Sequence, residues 1–186
     1  GKQLIQKLVT SNPSPAYVGR VVSKSRTSSG ISLKAMIKAI LLDPEARSSA
    51  NLSSTTFGKV REPILSLSAL LRALGAKSYS GFFTIGNTSN ANYGLNQTPL
   101  RASSVFNFFR PGYVPPGSAT SASTLGLVAP ELQLAHEVSI QGYLRLIYGM
   151  LYQDKGIGAA PSGSTQRDIQ LSYQQPGPAT APKSLY

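Results

Sequence analysis

Proton chemistry in this chain would fall to one histidine, His136, and to seven acids, because the 186 residues contain no cysteine. A nucleophilic serine would have to be activated by His136, yet no Gly-x-Ser-x-Gly elbow is present to expose one. Paired carboxylates for glycoside hydrolysis are scarce too: Asp43 and Glu45 are the only close pair, and they fall where a helix stops. With a lone imidazole and no thiolate, no zinc site is expected, and no phosphate-binding glycine motif points to a cofactor. The catalytic candidates that remain are His136 and Glu62.

A second constellation could bind rather than react. It consists of Arg47, Arg61, Arg101, Asn107 and Arg110, and arginines beside aromatic residues can clamp a carboxylate, sulfate or phosphate, or stack on a ring. They can equally serve as fasteners that hydrogen-bond the carbonyls of long loops. Arg101 and Arg110 flank the most aromatic stretch of the chain, 99 to 116, which ends in Pro111, Pro115 and Pro116.

The elements that must carry these residues are helical. Leu4, Ile5, Leu8 and Val9 predict a helix over 2 to 10. Ser14 and Pro15 open a second, with Tyr17, Val18, Val21 and Val22 inward. Ser32 opens a third, whose Leu33, Met36, Ile37, Ile40 and Leu41 form one apolar face opposite Lys34 and Lys38, and Asp43-Pro44 stops it. Pro63 and Gly75 bracket a fourth. The segment 76 to 99 has no helical period, and Phe82, Phe83, Ile85 and Tyr93 are expected to pin it. A short helix is predicted over 102 to 109. The last and longest, 130 to 152, is expected to carry His136 on its apolar face with Ile140, Tyr143 and Ile147, opposite Glu137, Gln141, Arg145 and Tyr148.

This pattern reads as an all-α fold of five to six irregularly packed helices with long loops rich in Gly, Ser and Pro. The helical domain is expected over 1–153, followed by a polar tail over 154–186 that is poorly ordered except where Ile169, Leu171 and Tyr173 attach. The formal charge is +11, and residues 1 to 47 hold eight Lys/Arg against Asp43 and Glu45. Such a balance suits a polyanion, a solubilising surface or an acidic partner. A nucleic-acid reading would rest on Lys2, Lys7, Lys24, Lys34 and Lys38. No run of residues is apolar enough for a membrane span. The chain begins with Gly, which suits a part of a longer precursor.

Four strings carry a resemblance to a known family. They are Asn12-Pro13-Ser14-Pro15-Ala16-Tyr17-Val18, Leu41-Leu42-Asp43-Pro44-Glu45-Ala46-Arg47, Gly58-Lys59-Val60-Arg61-Glu62-Pro63, and Val105-Phe106-Asn107-Phe108-Phe109-Arg110-Pro111-Gly112-Tyr113. In this order they resemble the C-terminal part of bacterial proteins called domain of unknown function 1800. The resemblance implies a mostly helical, extracytoplasmic protein with no established reaction, longer than this chain. The leading expectation is a structural or binding portion that packs on an N-terminal half or on another protein. The alternatives are a hydrolase of extracellular anionic substrates, with the arginines holding the anion and His136 or Glu62 handling protons, and a polyanion binder.

Overall fold

The computed structural model describes residues 1–105, 107–116, 125–153, 155–160 and 167–171. They fall into two compact units, Gly1–Arg61 with Ser103–Gln133, and Glu62–Ala102 with Leu134–Tyr186. The fold is mostly helical but not purely so, since among the described residues two small antiparallel sheets of two strands each accompany six α-helices.

The first unit contains α1 (Lys2–Leu8), α2 (Pro15–Ser25), the hairpin β1 (Arg26–Thr27) and β2 (Gly30–Ile31), α3 (Leu33–Leu41) and the single turn α4 (Pro44–Arg47). Its helix starts follow local chemistry. The Ser14 hydroxyl accepts the Tyr17 N–H at 3.0 Å, with Pro15 at the first helical position, and the Ser32 hydroxyl accepts the Ala35 N–H at 3.2 Å. Each such cap is worth about 1 kcal/mol. Ile5, Tyr17, Val21, Met36, Ala39 and Ile40 form the core. Tyr17 is wholly enclosed, and its hydroxyl donates to the Ile40 carbonyl at 2.6 Å. Burial, reinforced by the nearby Asp43 and Glu45 charges, pushes this phenol up to about 12.

Asp43 is the polar centre of that unit. It caps α4 by accepting the Glu45 N–H, and it receives both Nε and Nη2 of Arg20, at 2.9 and 2.7 Å. This forked guanidinium bond, more than offsetting burial, holds the carboxyl below its ordinary range. Glu45 in turn accepts the Ser14 N–H and hydroxyl. The pair of acids is thus spent on joining α2 to the start of α4.

The second unit is built on α5 (Pro63–Ala73) and α6 (Glu137–Tyr152), with β3 (Lys77–Ser78) paired to β4 (Ile169–Gln170) in the register Lys77 to Gln170 and Ser78 to Ile169. Leu67, Leu71, Leu95, Met150, Ile157, Ile169 and Leu171 are its core. Ile169 and Leu171 therefore do attach to the helices, as expected; Tyr173 lies outside the described residues.

The long segment 76 to 99 is held differently from the expectation. Ile85 packs on the core as expected and Leu95 is buried in it, but Phe82, Phe83 and Tyr93 are exposed, so aromatic burial does not pin it. A buried carboxylate does. Asp168, fully enclosed, accepts the Ser78 hydroxyl, the Ser80 N–H, and both the N–H and hydroxyl of Thr84. Glycines let the backbone come closer still: a Cβ on Gly142 of α6 would lie 2.0 Å from the Ala91 oxygen, and one on Gly158 would lie 1.9 Å from the Thr84 oxygen. Only a residue without Cβ permits such approaches.

Two further expectations need correction. The described residues of 102 to 109 form turns, not a helix, and Asn107 has a positive φ of 70°, which breaks helical geometry; Phe106 lies outside the described residues. The last helix does not begin at Pro130. A 3-10 turn, Pro130–Leu134, begins there instead, and α6 starts only at Glu137 because His136 and Ser139 form a reciprocal cap.

Candidate functional site

The sequence-derived candidates do not form one site. Arg47, Arg61 and Arg110 belong to the first unit and Arg101 to the second. All four are exposed, none pairs with a carboxylate among the described residues, and none lines either of the two cavities described below. Arg110 contributes its backbone N–H, which donates to the Gln133 side chain at 2.8 Å.

Asn107 borders a cavity of about 250 Å³ in the first unit, beside Phe109, Pro111, Lys7 and Glu131. Lys7 sits with its ammonium 3.7 Å from the Phe109 ring centre, and the buried Glu131 takes Lys59 at 2.8 Å. The Gln6 amide nitrogen is turned to the Ser11 and Pro111 carbonyls. Its oxygen, like the second oxygen of Glu131, is left buried with no donor. Such a lining is short of donors and ill suited to an anion.

His136 is exposed and not on the apolar face, because it caps α6 instead of entering it. Its Nδ1 accepts the Ser139 N–H at 3.4 Å, and its Nε2 lies 3.0 Å from the Asn96 amide. The Asn96 atom that faces Nε2 is its side-chain nitrogen, Nδ2. Glu62, just ahead of α5, accepts the Gln97 amide at 2.6 Å, while the Gln97 oxygen receives the Ile64 N–H. The two catalytic candidates are therefore each held by one of two consecutive amides, Asn96 and Gln97. That arrangement fastens the starts of α5 and α6 to one loop; it supplies no nucleophile.

Two other surfaces stand out. The first is on α3. Met36, Ala39 and Ile40 are buried, whereas Leu33, Ile37 and Leu41 remain 59%, 38% and 45% exposed. These three recur every fourth residue and so form one ridge, with Ile31 and Leu42 exposed at its ends and Lys34 and Lys38 beside it. The sequence reading identified the apolar face but not that it is wider than the unit's own core can cover.

The second is a cleft of about 660 Å³ in the second unit, between the loop 85 to 94, the C-terminal half of α6 and residues 155 to 159 and 167. Arg145, Lys155 and Arg167 line it, and no carboxylate does among the described residues; Asp154 lies outside them. Asp168, next to Arg167, is turned away onto Ser78, Ser80 and Thr84. Arg145 stands 5.5 Å from the Tyr93 ring centre, and Tyr148 stacks on Tyr152 at 5.1 Å. Asn87 and Asn90 give their side-chain oxygens to their own loop, Asn87 to Ser89 and Thr98, Asn90 to Asn92 and Tyr93. Among the described residues no acceptor meets their amide N–H groups. The spacing of Tyr148 and Arg145 on the polar face of the last helix was a signal for this cleft, but Lys155, Arg167 and Tyr93 come from segments that carry no periodicity.

Among the described residues no helix is long and apolar enough to cross a membrane, and no three His, Asp or Glu side chains converge as a metal site would require. No curated protein and no solved structure matches the chain. The sequence profile described as "Protein of unknown function (DUF1800)" matches residues 1–181, nearly the whole chain. The resemblance carried by the Asn12, Asp43, Gly58 and Phe109 strings is thus a true kinship, and this chain belongs to the DUF1800 family.

Proposed function

We propose that this chain is a structural and binding module of an extracytoplasmic protein, and that it packs through the exposed ridge of α3 against a partner polypeptide. The observation that carries this reading is the split of the α3 apolar face. Met36, Ala39 and Ile40 saturate the core, and Leu33, Ile37 and Leu41 are left over in water. An apolar side chain of that size gains about 1.5–3 kcal/mol on full burial, so a three-residue ridge is a substantial driving force for docking. Lys34 and Lys38 beside it select a partner whose own apolar ridge is flanked by acids. The amino-terminal half of a longer family member is the partner that the family resemblance puts forward.

The test is co-expression of this chain with that amino-terminal half. Co-elution on size exclusion, lost in Ile37→Lys and in Leu33→Lys/Leu41→Lys while both variants keep the parent's melting temperature, is the expected result. A chain that stays monodisperse and never co-elutes with that half counts against the proposal.

Hydrolysis of an anionic substrate is the less supported reading. Its proton carriers, His136 and Glu62, are engaged by Asn96 and Gln97, and the cations of the cleft have no catalytic carboxylate among the described residues beside them.

A further inference from the structure

We infer that the cleft of the second unit is a binding site for a sugar that carries a phosphate or sulfate ester. Arg145, Lys155 and Arg167 bring three cations to one cleft, and among the described residues no acid there offsets them. The carboxyl end of α6 is close by, and the Lys155 N–H donates to the Gly149 carbonyl at 3.0 Å. A helix C-terminus amounts to roughly half a negative charge, so it accounts for only part of one of these cations. The remaining positive charge has no carboxylate partner among the described residues; Arg145 is met by the Asn92 carbonyl at 3.5 Å and the Tyr93 ring at 5.5 Å.

The obvious internal partner is unavailable for a physical reason. Asp168 follows Arg167 directly but is fully buried and saturated by Ser78, Ser80 and Thr84. Pulling it back toward Arg167 would unfasten the loop that forms one wall. Among the described residues the cleft therefore has no acid, because Asp168 is committed to structure.

The rest of the lining selects what bears the anion. Amide N–H groups of Asn87 and Asn90 add donors that suit ester oxygens or hydroxyls, their oxygens being already occupied. Tyr148 is 55% exposed and Tyr93 70%, so each has ring surface left to lie against the apolar face of a sugar. The volume, about 660 Å³, falls within the range of small-molecule pockets and exceeds what inorganic phosphate alone would fill. Gly94, Gly156 and Gly158 keep the walls thin: a Cβ at Gly94 would meet the Thr88 oxygen at 2.6 Å and one at Gly156 the Ile169 oxygen at 2.5 Å. The site is thus a packed cleft, not a loose collection of surface lysines and arginines.

Calorimetric titration of the whole chain with glucose 6-phosphate, glucose 6-sulfate, glucose and inorganic phosphate tests this. Millimolar or tighter binding of at least one ester, with glucose and inorganic phosphate at least tenfold weaker, is expected; which ester wins separates the two sources of the anion. Arg145→Gln and Lys155→Gln should each weaken it about tenfold, as loss of a charged hydrogen bond does. Tyr148→Ala should weaken it several-fold. These positions are exposed, so unchanged melting temperatures identify the effects as local. The inference is overturned if neither ester binds at 10 mM, a concentration set at roughly the weak end of small-ligand affinity, or if inorganic phosphate binds as well as the esters. It is equally overturned if the Gln variants bind like the parent. None of these outcomes depends on the α3 ridge.

Discussion

The two units face the same shortage of acids and resolve it in opposite ways. In the first, the buried acids Asp43 and Glu131 are met by cations, Arg20 and Lys59, and Arg20 also reaches the half-buried Glu45. In the second, the buried acid Asp168 is met by hydroxyls and backbone N–H groups. Both units leave apolar side chains in water, Leu33, Ile37 and Leu41 in the first and Phe82, Tyr93 and Leu144 in the second, but among the described residues the second gathers Arg145, Lys155 and Arg167 in one cleft without a carboxylate. The placement of the few carboxylates thus separates a unit fastened by ion pairs from one fastened by a single buried acid.

The comparison breaks most completely if Asp168 is not the fastener of the second unit. Asp168→Ala should leave five donor contacts without an acceptor, and hydrogen exchange should show residues 76 to 99 opening while α2 and α3 keep their protection. Full protection in both units would end the argument. The wild-type counterpart is an acid titration. Burial pushes the Asp168 carboxyl up, but the bonds from Thr84 and Ser80 outweigh it and hold the group well below its ordinary value. A carboxyl depressed in the folded state contributes stability above its unfolded pKa, about 3.9. That contribution is lost as the pH falls below about 4, and Asp43 acts in the same direction. Thermal melts between pH 7 and 2 should fall accordingly, and the Asp168→Ala melt should fall less.

Next in size is the contrast within α3. Ile40→Ala, in the core, should cost about 2–5 kcal/mol. Ile37→Ala, on the ridge, should stay within about 0.5 kcal/mol in the isolated chain. Equal losses in denaturant titrations would mean that the ridge is already covered.

Gly142→Ala should cost about 1–3 kcal/mol, because its Cβ would lie 2.0 Å from the Ala91 oxygen and backbone cannot yield as a side-chain tip can. The readout is stability together with exchange at residues 87 to 94.

The smallest expected effects are single hydrogen bonds. Tyr17→Phe should cost about 1–1.5 kcal/mol by leaving the Ile40 carbonyl buried without its donor. It should also flatten the alkaline limb of the stability profile. A phenol raised to about 12 adds stability that is complete below its unfolded pKa near 10 and disappears as the pH climbs through 12. His136→Ala should cost about 1 kcal/mol through loss of the α6 cap.

Much of the first unit was legible in the residue string. Ser14-Pro15, Ser32 and Asp43-Pro44 set helix boundaries by hydrogen bonds and proline geometry within a few residues, and the apolar spacing of Tyr17, Val21, Met36 and Ile40 marked the core. The second unit was less legible. The cap at His136 depends on a side chain reaching a backbone N–H three residues on, which overrode an apolar periodicity running through it. The loop from 76 to 99 depends on Asp168, some 84 to 90 residues away in the chain. No local pattern announces such a partner.

By itself, the sequence determined that this protein is mostly helical, basic and a member of the DUF1800 family, because capping, periodicity and kinship are written in short strings. Only the tertiary structure decided which half of the α3 face is left in water, where His136 and Glu62 stand, and which cations share a cleft. Those outcomes rest on close approaches between segments distant in the chain: glycine backbones that admit a carbonyl, and one buried carboxylate that gathers four donor groups.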